Sequence, residues 1–503
     1  MTLALSSADI DRFRGAVAQR LGIWFEDQKF DYLAGILERR IEATAELPAR
    51  YLDALEKPPH AHAELREIAR ELTVGETYFF RHIDQFRAFS EVALPSRLAA
   101  RAVTKQLRIL SAGCSSGEEA YTLSILTREA LTEPGWEVSI EGVDVNPNAV
   151  ARARRARYSQ WSLRETPAPV QERYFETDGR EFILSKAVQS GVRFEEGNLV
   201  ADDSWAPETF DVIFCRNVLM YFTEENARRV VGRFSRALVP GGFLFLGHAE
   251  NLRGLSQDFE LFHTHATFYY QRRSGLARSN GAAVVPQPAP LHAPRSALAL
   301  DWASTWLETV QRSSDRIRAL TEPPVAEPVP VVPLAPRLDL SLALELLSHE
   351  RFAEALEVLT KMPATSAQDA DAVLLRAALL THCGQLSAAE SACAELLALD
   401  GLNCGAHYLL ALCRERQGDT RAAIEHSQIA SYLEPSFAMP HLHLGLMARR
   451  LGERETAQRE LSQAALLLQR EEPSRLLLFG GGFSREGLAT LCHSELSRLR
   501  GMQ

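Results

Sequence analysis

No apolar run in the 503 residues approaches the roughly 18–20 needed to span a bilayer, so membrane insertion is not expected. Positive charge is not in excess: the formal net charge is −10, with 24% charged and 46% hydrophobic residues. Nucleic-acid binding, which leaves a basic footprint, is therefore not expected. The start, "MTLALSSADIDRFRG", lacks the basic and apolar regions of a secretory signal, and a cytoplasmic location is expected. The seven cysteines form no CxxC pair and no Cys/His cluster at metal spacing. They read as reduced core residues, with no metal site. GxGxxG and the GK[ST] of a phosphate-binding loop are also missing.

The chain divides by texture. Residues 1–88 carry helical periodicity, clearest in "FDYLAGILERRIEA". Residues 89–274 alternate apolar strands ("LRILSA", "SIEGVDV", "FDVIFCRNV", "GFLFLG") with helical stretches such as "ENARRVVGRFSRAL". That alternation predicts a parallel sheet covered by helices on both faces. "FELFHTHATFYYQR" is expected to add one antiparallel strand at its end. Residues 275–336 hold Pro/Ala/Val tracts that read as linker, with room for one helix in "ALALDWASTWLETVQRSSDRIRALTE". From 337 to 470 the sequence repeats: Gly384, Gly418 and Gly452 are 34 apart, as are Ala355, Ala389, Ala423 and Ala457. A 34-residue period resembles that of tetratricopeptide (TPR) helical hairpins. Glu350 stands where the first unit would have its glycine, and only Pro435 supplies the usual proline after a second helix. Residues 471–503 are expected to form a capping helix.

The chemistry is concentrated in "LRILSAGCSSGEEAYTLSIL". A strand runs into a turn at Gly113 and out into a helix, and such turns let the backbone approach a ligand at the sheet's carboxyl edge. Glu118 and Glu119 would repel a phosphate and suit a cation or a hydroxyl- and amine-bearing ligand. Asp144 ends the next strand, where an acid can accept hydrogen bonds from ribose hydroxyls. Asn198-Leu199 follows "VRF", and an asparagine can read an adenine edge. Asn217 and Val218 end "FDVIFCRNV", with Tyr221 one turn on.

"ETYFFR" at 76–81, "SAGCSSGEEAYTLSI", "FDVIFCRNVLMYF" and "FLFLGHAENL" resemble, in that order, the motifs of the chemotaxis-receptor methyltransferases, the CheR family. The resemblance covers residues from about 10 to 274. It implies an α/β class I S-adenosylmethionine (SAM) methyltransferase sheet, Rossmann-like, preceded by a small all-α domain and followed here by an all-α TPR solenoid. It implies methyl transfer from SAM to glutamate side chains of chemoreceptors, with S-adenosylhomocysteine (SAH) as product. Carried over by motif, Thr77 and Arg81 should touch the cofactor, and Gly113 should form the turn beneath it. Glu118 or Glu119, rather Glu119, should face its methionine or adenosine part. Asp144 should hold the ribose, while Asn198-Leu199 and Asn217-Val218 line the adenine and methionine pockets. Gly75 departs from the family, many members of which have asparagine there, so a contact to the cofactor's carboxylate is missing or made by backbone. Arg81 and Tyr221 are the candidates for positioning the substrate carboxylate.

The implied partner is the helical bundle of a receptor's cytoplasmic part. The segment between "YFETDGREFILSK" and "VRFEEGN", where the family often carries a small β-subdomain that grips a receptor tail, is short and lacks a glycine cluster. That argues against tail-tethered recruitment. The repeats offer a groove for an unidentified protein or peptide. Two other readings fit less well: a SAM-dependent enzyme acting on a small molecule, and a non-catalytic scaffold working through its repeats.

Overall fold

A computed structural model describes residues 5–56, 61–73, 75–131, 133–201, 205–274, 340–349, 351–361, 369–481 and 483–501. The helix expected within 275–336 lies outside the described residues. The chain forms two compact units, Met1–Pro294 and Arg295–Gln503.

The first unit opens with four helices: α1 (Ser7–Leu21), α2 (Phe30–Thr44), α3 (Pro48–Glu56) and α4 (Ala61–Leu72). Ser6 and Asp9 form a capping box at the start of α1, satisfying two backbone donors reciprocally. Phe13, Val17, Leu33, Ile36, Leu37 and Ile41, spaced three and four apart, are fully or almost fully buried and form one core. Arg39 and Arg40 of α2 pair with Glu71 and Glu64 of α4.

After "ETYFFR", α5 (Ile83–Ala88) passes through a π turn at Phe89–Ala93 into α6 (Leu94–Ala100). This helical run crosses residue 88 and belongs with the sheet. Buried Arg97 of α6 and Arg101 just beyond it both pair with buried Asp211.

Seven strands follow in the order β6-β2-β1-β7-β8-β10-β9. They are β1 (Gln106–Ala112), β2 (Glu137–Asp144), β6 (Val192–Glu196), β7 (Phe210–Cys215), β8 (Leu238–Leu246), β9 (Phe259–Thr264) and β10 (Thr267–Arg272). β6, β2, β1, β7 and β8 are parallel, with α7 (Glu118–Ala130) and α8 (Pro147–Arg155) after β1 and β2, the short α9 (Ala168–Tyr174) and α10 (Lys186–Gln189) before β6, and α11 (Glu224–Ala237) after β7. β7 reads "FDVIFC" and is buried throughout, as a central strand covered on both faces must be. The order changes direction at β1, between β2 and β7, which is where such folds bind ligands.

One expectation is corrected. The terminal segment adds two strands, not one: β9 and β10 form a hairpin closed by His265 and Ala266, both at φ 53°. Two consecutive positive φ values define a hairpin turn that non-glycine residues rarely supply, so the sequence carried no turn signal. A separate small sheet also stands upstream of the short segment between "YFETDGREFILSK" and "VRFEEGN". β3 (Arg157–Ser159), β4 (Phe175–Asp178) and β5 (Glu181–Leu184) pair antiparallel in the order β3-β5-β4. β4 and β5 fall within "YFETDGREFILSK" itself, and β3 lies further upstream.

The second unit is helical among its described residues. Hairpins start at α14 (Ala370–His382), α16 (Cys404–Arg416) and α18 (Ala438–Arg450), and their second helices are α15 (Leu386–Leu399), α17 (Thr420–Leu433) and α19 (Arg454–Leu468). Both series step by 34 residues. An earlier hairpin joins α12 (Ser341–Ser348) to α13 (Phe352–Thr360). Gly384, Gly418 and Gly452 end the first helices at φ 72°, 84° and 79°, the left-handed conformation a tight turn requires. Ala355, Ala389, Ala423 and Ala457 are fully buried, which lets paired helices approach closely. Two helices close the chain, α20 (Pro473–Phe479) and α21 (Arg485–Gly501). The capping helix expected is α21, which packs on α19; α20 was not foreseen.

Candidate active site

Three loops meet at the carboxyl edge of β1, β2 and β7. In the first, Gly113 (φ +75) turns the chain beneath Val218, and a Cβ there would lie 2.3 Å from Val218 Cγ2. Ser115 (φ 48) follows, and its amide donates to Asp144 Oδ2 at 2.8 Å. Asp144 Oδ1 accepts from the Asn146 amide at 2.8 Å. Burial holds the Asp144 carboxyl above the usual carboxylate range, against the partial pull of those two amides. Each oxygen keeps a lone pair for a further donor.

Glu118 and Glu119 are both buried at the start of α7. Glu118 accepts from Ser116 Oγ at 2.8 Å and Ser162 Oγ at 3.2 Å. Burial raises its pKa, while its hydrogen bonds and nearby Arg152 lower it. Glu119 accepts from Ser111 Oγ at 2.7 Å and pairs with Arg216 Nε at 2.6 Å. Both carboxylates already have protein partners, so either would face a ligand only with its remaining lone pairs.

Arg216 and Glu250 went unassigned in the sequence. Arg216, at the exit of β7, also donates to Arg81 O at 2.7 Å and Gln85 Oε1 at 2.9 Å. Gln85 in turn donates to Leu246 O at 2.5 Å. A buried charge held by this many partners keeps the "ETYFFR" segment against the sheet. Glu250 accepts four backbone N–H bonds: Asn217 (2.8 Å), Gly247 (2.7 Å), Val218 (2.8 Å) and Met220 (3.2 Å). It thereby fixes the loop bearing Asn217, Val218 and Tyr221. Burial raises its pKa, opposed by the four amides. The available signal was a charged side chain just past an apolar strand, in "VIFCR" and "FLFLGHAE".

Around this edge the backbone is held in left-handed conformations at non-glycine residues: Phe80 (φ 60), His82 (φ 61), Ser115 (φ 48) and Asn217 (φ 58). Such strain persists only where the surroundings impose it, and it concentrates at functional sites. Phe79 supplies part of that constraint, packed edge-on against Tyr158 (4.8 Å) and Phe175 (5.0 Å) with its amide on Ser162 O.

The other expected residues take distinct places. Thr77 is half-buried on the same segment. Arg81 is half-buried, and its guanidinium donates to Glu76 O at 2.6 Å. Gly75 is exposed over Ser115, and a Cβ added there would be 3.0 Å from Ser115 Oγ and 3.5 Å from Arg152 Nη2. Tyr221 is 45% exposed at the rim. Asn198 is turned towards α1: its amide nitrogen donates to Arg20 O at 2.7 Å and its oxygen accepts from Val200 N at 2.9 Å. Leu199 is buried beside it.

The helical amino-terminal region docks on this edge. Trp24 N donates to Tyr221 O at 2.7 Å, and Ile23 bridges Phe222. Asn146 Nδ2 donates to Thr73 Oγ1 at 2.7 Å, and Arg66 makes a two-pronged pair with Glu196.

This geometry coincides with a match to a family model, "CheR methyltransferase, SAM binding domain", over residues 75–268. A chemotaxis protein methyltransferase of Vibrio cholerae is 32% identical over 286 residues, 56% of this chain and 99% of that one. The chain belongs to the CheR methyltransferase family. The Escherichia coli chemotaxis protein methyltransferase is also 32% identical, over 52% of this chain and 90% of its own. A probable biofilm formation methyltransferase, WspC, of Pseudomonas putida is 29% identical over 80% of this chain and 85% of its own, so the similarity extends into the helical unit. The chain spans 29% of an uncharacterized 104.1 kDa protein of Rhodobacter capsulatus. No helix among the described residues is long and apolar enough to cross a membrane.

Proposed function

We propose that the chain transfers a methyl group from SAM to glutamate side chains of chemoreceptors, leaving glutamate methyl esters and SAH. What carries the reading is the gathering at one sheet edge of Asp144, Asn217 and the Gly113 turn, beneath the segment bearing Thr77 and Arg81. The residues fit the cofactor: Ser115 Oγ is buried without a hydrogen-bond partner under Gly75, a polar atom placed to serve a bound group. Asp144 would hold the ribose. Asn217, Val218 and the Gly113 turn would line the methionine part, and Leu199 with Asn198 the adenine side.

When bound, the sulfonium supplies an activated methyl group. The protein has little else to do chemically. A glutamate carboxylate, with a pKa of about 4.3, is already an anion at neutral pH and needs no general base. Arg81 and the exposed Tyr221 orient it, and the docked amino-terminal helices exclude water from the approach. Esterification removes a negative charge from a packed receptor helix, which lessens like-charge repulsion and shifts a signalling equilibrium. The repeats recruit a partner. The 1–88, 89–274, 275–336, 337–470 and 471–503 divisions are the working domain scheme, with the run Ile83–Ala100 assigned to the catalytic part.

Incubation with methyl-labelled SAM and receptor-bearing membranes tests this. Label should enter the receptor and leave as methanol on base treatment. Arg81→Ala should reduce that transfer by about a hundredfold with folding intact. Base-stable label, or turnover in the variant close to wild type, would defeat the reading.

A further inference from the structure

The groove of the helical repeats is filled by the chain itself. Helix α20 lies across the face built from the first helices of the hairpins, meeting α12 and α14. Phe479 packs edge-on to Tyr408 of α16 (5.9 Å) and to Phe437 at the start of α18 (5.2 Å). A Cβ on Gly405 of α16 would come 2.9 Å from the Phe479 ring, so the absence of a side chain there makes the seat for it. Leu477 and Leu478 pack against a buried apolar cluster that α12 to α14 supply, Leu347 and Leu379 among it, and Leu478 O meets His382 Nε2 at 3.2 Å. The basic residue is matched too: buried Arg475 faces Glu434 at 3.7 Å and Glu471 at 3.1 Å, and its guanidinium sits 5.4 Å from the Phe437 ring. Glu471 anchors the segment by accepting from Ala438 N in the first turn of α18 at 2.6 Å.

Two features set α20 apart from the hairpins. It has only 7 residues, too few for a helix to hold without its neighbours. Pro473 opens it and Gly480-Gly481 follow it, so it can leave without unwinding a repeat.

We propose that residues 471–481 are a displaceable ligand of the groove. The partner that docks there in trans is then a short helical segment of the same chemistry, one basic side chain followed by leucines and a phenylalanine. Occupancy in cis lowers the apparent affinity for the partner by the fraction of molecules with an open groove. This deepens the recruitment role proposed for the repeats and stands independently of the methyl-transfer reading.

The test uses the full chain and a fluorescein-labelled peptide of residues 471–481, followed by fluorescence anisotropy. Phe479→Ser should bind the peptide at least about tenfold more tightly than wild type. A peptide with Arg475→Glu should lose that binding. Equal affinities for wild type and a folded variant, no binding by that variant, or preference for the acidic peptide would each overturn the proposal. Should Phe479→Ser not fold, hydrogen exchange of the wild type decides. Amides of α20 should exchange about tenfold faster than those of α16 and α18. Exchange of α20 only with the whole unit would overturn it.

Discussion

Glu250 is the residue whose burial is most at odds with its charge, a carboxylate enclosed just past the apolar end of β8. Its four backbone donors explain why it stays. Gln at this position keeps the shape but turns an amide N–H toward backbone N–H groups. Glu250→Gln should cost about 2 kcal/mol of stability and weaken cofactor binding, both measurable by thermal melting with and without SAH. Unchanged binding would show that the Asn217 loop holds its shape unaided. His82 tests the strained segment from another side. Burial, then the neighbouring His248 and Arg216, lowers its pKa from 6.5 to about 3. The folded state therefore binds fewer protons than the unfolded chain between those values, so the contribution is complete above 6.5 and is lost as pH falls toward 3. Asn tolerates the left-handed backbone at this position. His82→Asn should flatten the acid limb of the melting-temperature profile below pH 6.5, and an unchanged limb would contradict the assignment.

At the level of elements, the strands and the repeats were legible because periodicity reports burial directly. β7 is buried throughout and apolar but for Asp211, since both faces are covered, and Ala389, Ala423 and Ala457 recur because paired helices touch there. The β9–β10 hairpin was not legible, because His265-Ala266 adopts a turn its residues do not advertise. The small sheet of β3, β4 and β5 was hidden because strands of 3 and 4 residues are too short to show a period. For the site, the glycine turn and Asp144 could be read from position in a strand–turn–helix unit. Arg216 could not, since its value lies in partners from distant segments, Glu119, Gln85 and the Arg81 carbonyl. Asn198 illustrates the converse: its position after a strand could be read, but not that its amide serves the α1 junction and the Val200 amide.

For the molecule as a whole, the catalytic unit carries its own helical cover and the repeats form a separate compact body. If the repeats recruit the receptor or an associated protein, removing residues 276–503 should leave cofactor binding unchanged. It should lower receptor methylation by about tenfold or more at limiting receptor, through lost effective concentration. An unchanged rate would assign the repeats another task. The central claim, that the carboxyl edge of the sheet seats a sulfonium nucleoside, is tested most directly by calorimetric titration of the full chain with SAH. One saturable site is expected in the wild type, abolished or strongly weakened by Asp144→Ala. No heat of association with well-folded wild-type protein, or the same isotherm in the variant, would contradict it.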